Sequence, residues 1–94
     1  VRRLQDLQSQ WRARVTERRA SARLPQLVDY LFEAPVLSIG QVRAALDVSY
    51  NSAHAYIRRL VGHGILGQVG ENAYGKLYIA QGIMDILLAE RAPG

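Results

Sequence analysis

Apolar positions along the chain fall into a series of helical stripes, with two short apolar runs before the last of them. Residues 2–22 contain no Gly or Pro and are rich in Leu, Gln, Arg and Ala, which are good helix formers. Leu4, Leu7, Trp11, Val15 and Ala22 recur at three- and four-residue steps or their multiples, so one long amphipathic helix is predicted. Pro25 suits the first turn of a second helix, where its missing N–H has no intrahelical partner. Leu24, Leu27, Val28, Leu31 and Phe32 give that helix its buried stripe, and Pro35 ends it at about Ala34.

Ser38-Ile39-Gly40-Gln41 matches a capping box, and it opens a short helix with Ile39, Val42 and Leu46 inward. Asp47-Val48 makes a turn and Ser49 caps a further helix running to about His63, with Ala53, Tyr56, Ile57 and Leu60 inward. Gly64 is placed to stop that helix in the left-handed conformation. Leu66–Val69 and Lys76–Ile79 read as strands joined through the turn-rich Gly70–Gly75, and a last helix spans about Gln81 to Arg91 with Ile83, Ile86 and Leu87 inward. Two helices joined by a tight turn and followed at once by a hairpin form a winged helix–turn–helix. The expected fold is therefore mainly α with a small β-hairpin. A linker helix occupies residues 1–23, and the winged domain occupies residues 24–94 with its wing at about 66–80.

With 94 residues, nearly half of them apolar, the chain is sized for one small globular domain. It has no cysteine, hence no disulfide and no thiolate metal site, and this fits a reducing, cytoplasmic setting. No apolar run approaches the ~20 residues that span a bilayer, so no membrane partner is expected. The first residue is Val1, and the chain is expected to be part of something longer. The net charge of +4 is unevenly placed. Residues 1–23 hold seven arginines against two carboxylates, a net of +5; residues 24–94 hold five cationic groups against six carboxylates, a net of −1. The winged module itself is close to neutral.

Pro35-Val36-Leu37-Ser38-Ile39, Leu46-Asp47-Val48-Ser49 and Ser52-Ala53 together resemble the C-terminal winged-helix domain of Fic-family proteins. Ile57-Arg58-Arg59-Leu60, Gly64-Ile65-Leu66, Tyr78-Ile79-Ala80 and the apolar helix Ile83–Leu88 extend the resemblance over half to two-thirds of the chain. It implies a bacterial parent protein with a Fic catalytic domain, which transfers AMP from ATP to protein hydroxyls, and the helix of residues 2–22 would be the linker from that core. The His-Pro-Phe and Gly-Asn-Gly-Arg motifs of the Fic core are absent here, so no catalytic activity is carried onto this chain.

For a winged helix the natural partner is duplex DNA, with the helix after Ser49 in the major groove. Placing Ala53, Ile57 and Leu60 inward turns Asn51, Ala55, Arg58 and Gly62 outward, with His54 and Arg59 on the flanks and Tyr50 and Ser52 at the helix start. Asn51, His54 and Arg58 stand nearest base edges; Asn51 suits adenine, and Arg58 suits guanine or a phosphate. Tyr50, Ser52, Arg59 and Lys76 suit phosphates. The competing account is a solvated polar face, with Arg58 and Arg59 paired to Asp29 or Glu33. The wing offers only Lys76 with Glu71 nearby, less basic than a phosphate-gripping wing.

The arginines of the first helix are either a soluble face, paired locally with Asp6 and Glu17, or an additional nucleic-acid arm. Its stripe Leu4, Leu7, Trp11 and Val15 must be covered by the following module, by a second copy in a homodimer, or by a neighbouring domain. His54 and His63 lack further ligands at metal spacing, Ser49 and Ser52 lack an acid–base partner, and no phosphate-cradling glycine loop is present, so neither metal, cofactor nor catalysis is expected. Tyr74 and Tyr78 are expected to cover the sheet. Beside the DNA-binding regulatory module stand two alternatives: a protein-interaction or dimerisation module regulating an attached Fic domain, and a stand-alone winged-helix transcription regulator.

Overall fold

The computed structural model describes residues 2–16, 22–72 and 75–91. Five helices and three strands follow in the order α1 (Arg2–Val15), α2 (Arg23–Leu31), β1 (Val36–Ser38), α3 (Ile39–Leu46), α4 (Tyr50–Gly62), β2 (Gly67–Asn72), β3 (Gly75–Ile79) and α5 (Gln81–Arg91). The strands form one antiparallel sheet in the order β1-β3-β2. From α2 to β3 this is a winged helix–turn–helix, with α3 and α4 as the paired helices and β2–β3 as the wing.

Local chemistry fixes the element ends. Ser38 Oγ accepts the Gln41 N–H at 3.3 Å while Gln41 Oε1 accepts the Ser38 N–H at 2.9 Å, a complete capping box opening α3. Asp47 ends α3 in the left-handed region (φ 54°), which a short polar side chain tolerates. Ser49 Oγ accepts the Ser52 N–H at 3.1 Å and starts α4. At the far end Gly64 takes φ 76°, letting its own N–H reach the Val61 carbonyl and the Ile65 N–H reach the Leu60 carbonyl. This paired closure satisfies carbonyls that the helix would otherwise leave bare.

Two helix ends differ from the sequence expectation, and β2 runs on to Asn72 through residues expected to be turn. The first helix stops at Val15 instead of Ala22. At this end the Thr16 hydroxyl donates to the Arg12 carbonyl. Ala22 is an exposed turn residue outside the stripe, and Glu17, Arg18 and Arg19 lie outside the described residues, as does Tyr74. Helix α2 yields at Leu31, three residues early, because Pro35 holds the residue before it out of helical conformation and the chain must turn through Phe32 and Glu33. That turn also frees Val36–Ser38 to pair with Leu77–Ile79, a strand the sequence reading did not anticipate.

One core runs through the whole described chain. Leu27, Val28, Leu31, Leu37, Val42, Ala53, Ile57 and Leu60 are fully buried at its centre. Trp11 and Val15 of α1 belong to the same cluster, and Leu4 and Leu7 pack half-buried against it. This chain's own module covers Trp11 and Val15 of the α1 stripe, while Leu4 and Leu7 keep part of their surface exposed. Trp11 lies against Phe32 with ring centroids 5.6 Å apart, and against α5 at Gly82. A Cβ built at Gly82 would stand 3.0 Å from Trp11 Cζ2 and 3.4 Å from Leu7 Cδ2, so the missing side chain is what lets α1 and α5 approach. Asp29 of α2 fastens the other flank of α1, accepting from Gln8 at 2.7 Å and pairing with Arg12.

Candidate nucleic-acid interface

Helix α4 has its inward stripe set by Ala53, Ile57 and Leu60, each at 0% exposure. At 100° per residue the opposite face belongs to Asn51, Ala55, Arg58 and Gly62, and all four are exposed. The expected polarity of this helix is therefore realised. Tyr50 is exposed at its start, while Ser52 is half-buried and drawn into the cap, its hydroxyl accepting from Ser49 at 3.0 Å.

The wing completes a surface on one flank of this helix. Lys76 and Tyr78 share a face of β3; Tyr78 is buried, covering the sheet as expected, and Lys76, beyond it, is exposed. His54, Arg58, Val61 and Gly62 from α4 then face Gln68, Lys76 and Tyr78 across an open groove of about 480 Å³. Three of the proposed contact residues, His54, Arg58 and Lys76, thus meet in one place. Tyr50, Asn51 and Ser52 stand apart at the helix start, and Arg59 lies on the opposite flank.

Gln68 and Val61 also line the groove, although the sequence did not single them out. Gln68 pairs with Tyr78 and Gly70 with Leu77, so Val69 bulges out of the ladder. A bulge shifts which residue faces α4, and no local pattern announces it.

Electrostatically the surface is modest but unspent. The pairing of Arg58 or Arg59 with Asp29 does not occur: Asp29 is held by Arg12 and Gln8. Among the described residues neither Arg58, Arg59 nor Lys76 has a carboxylate within ion-pair distance. Glu71 lies opposite Lys76 across the hairpin and reduces the positive potential of the wing. No group of three His, Cys, Asp or Glu side chains among the described residues is arranged to hold a metal, and no described helix is long and apolar enough to cross a membrane.

The site is thus an exposed helix with a polar outward face, flanked by a groove lined by His54, Arg58 and Lys76 and by a β-ribbon. No family model matches the chain, and no curated protein matches it either.

Proposed function

We propose that this chain is a regulatory duplex-DNA-binding module that docks α4 in the major groove. Asn51, His54 and Arg58 then stand nearest base edges, while Tyr50, Ser52, Arg59 and Lys76 meet phosphates. The observation that carries this reading is the meeting of His54, Arg58 and Lys76 in one open groove, with both cations free of carboxylate partners among the described residues. In the same reading the module is the C-terminal domain of a bacterial Fic-like protein and works in the cytoplasm, as the resemblance of residues 35–88 implies. The gene segment upstream should then encode the His-Pro-Phe and Gly-Asn-Gly-Arg motifs.

The test is a fluorescence-anisotropy titration with random-sequence duplex at two salt concentrations. Each phosphate neutralised contributes about −0.9 to the slope of log K against log[salt]. Arg59 and Lys76, the two cations placed on phosphates, together give a slope near −2 by that rule. Arg58→Ala with Arg59→Ala weakens binding and removes about half of that slope; an unchanged affinity and slope rejects the docking. One observation favours a second reading, a protein-interaction surface: Tyr50 at 55% and Val61 at 41% exposure are large apolar groups on the same helix. Salt-insensitive behaviour with DNA would favour that reading.

A further inference from the structure

We infer that the DNA contact does not end with the winged module but continues onto α1 through Arg14, a residue outside the helix–turn–helix and its wing. This inference rests on α4 being the DNA-facing helix.

A helix of 13 residues such as α4 is about 20 Å long, whereas the major groove is about 12 Å wide. Docked with its N-terminal end in the groove and its axis across it, α4 would carry its C-terminal end past the groove edge, toward the phosphate strand. Gly62 at that end lines the cationic groove with Arg58 and Lys76, and His63 follows it. There Arg14 Nη1 donates to the His63 carbonyl at 3.2 Å, an exposed contact between residues 49 apart in sequence. One guanidinium N–H is used in that bond, and the rest of its fork of donors remains available to a phosphate. The contact favours this placement of the cation before DNA arrives, which reduces the side-chain freedom lost on binding.

The arginines of α1 are not equivalent. Arg12 stands on the flank that meets α2, where it pairs with Asp29 and also donates to the Pro25 carbonyl at 3.4 Å. Arg14 is two residues on, roughly 200° around the helix, on the flank that meets the end of α4. Gln10, one turn before Arg14, is exposed on the same flank and supplies a neutral amide donor. The charge distribution is in keeping with such a contribution. Residues 24–94 carry −1 overall, and the positive charge of the chain resides in residues 1–23.

The experiment measures the salt dependence of random-duplex binding by the full chain and by Arg14→Ala, Arg14→Lys and Arg12→Ala, with thermal melts to confirm folding. Arg14→Ala should weaken binding and make the salt slope shallower by about 0.9, while Arg14→Lys keeps the charge and the slope. Arg12→Ala should leave the slope unchanged. If the parent chain binds with a clear salt slope and Arg14→Ala matches it, the inference fails and the α4 docking stands. An equal loss in Arg12→Ala also overturns it, because the effect would then be one of general charge. If the parent chain does not bind duplex at all, both fall together.

Discussion

Trp11 offers the sharpest test of the packing, because α1 could be a tether or part of the fold, and the two differ by several kcal/mol. The indole is 4% exposed, lies 5.6 Å from the Phe32 ring and touches α5 at Gly82. A buried Trp side chain removes on the order of 200 Å² from water, worth about 5 kcal/mol at ~25 cal/mol/Å². A compact unfolded state trims this by about a quarter, and the tilted ring pair returns about 0.5–1 kcal/mol. Trp11→Ala should therefore cost about 4 kcal/mol, within the 3–5 kcal/mol range for removing a large aromatic from a core. A domain of this size has roughly 5–14 kcal/mol of total stability, so the variant loses a large share of it. Its melting temperature should fall by about 15–30 °C. Melts followed by circular dichroism at two protein concentrations tenfold apart provide the assay. Trp11 is the only tryptophan, so its fluorescence should also be blue-shifted and shielded from acrylamide in the folded chain. A loss below about 1 kcal/mol, or a melting temperature that climbs with protein concentration, refutes the intrachain burial. The second result would mean that another copy covers the indole.

Gly82→Leu should cost about 1–3 kcal/mol by urea denaturation, because its Cβ alone stands 3.0 Å from Trp11 Cζ2. Combined with Trp11→Ala the two losses should be less than additive, since the new side chain refills the vacated space; strict additivity would mean the two residues are not in contact. Gly64→Ala should cost about 1–2 kcal/mol in the same assay, because φ 76° is unfavourable for an L-residue. Nothing stands within 4 Å of a Cβ there, so backbone conformation is the sole cause, and Gly64→Asn should be milder.

Features encoded within a few residues were legible in the sequence. The Ser38–Gln41 box, the Ser49 cap, the Gly64 stop and the outward placement of Asn51 and Arg58 each depend on side-chain chemistry at fixed local offsets. What the sequence hid depends on distant partners. Val36–Ser38 is three residues long and becomes a strand only because Leu77–Ile79 lies beside it. The Val69 bulge sets Gln68 opposite Tyr78 and so brings Gln68 into the groove, a consequence of register that no alternation reveals. The end of α1 at Val15 was hidden for a different reason, since the residues beyond it have good helix propensity and no Gly or Pro marks a stop in the sequence. Likewise, nothing in the arginine spacing distinguishes Arg12 from Arg14 until α2 and α4 are in place.

That distinction explains how a nearly neutral winged module can belong to a basic chain. The α1 stripe buries Trp11 and Val15, which fixes the rotation of the helix about its axis. Once that rotation is set, Arg12 is directed to Asp29 and Arg14 to the end of α4. The pair between Arg12 and Asp29, with side chains 46% and 43% exposed, is worth at most about 1 kcal/mol and weakens with salt. The apolar stripe is worth several times more. Packing rather than ion pairing therefore positions the arginines. The position of Arg14 beside His63 should accordingly survive high salt even though any phosphate contact it makes would not.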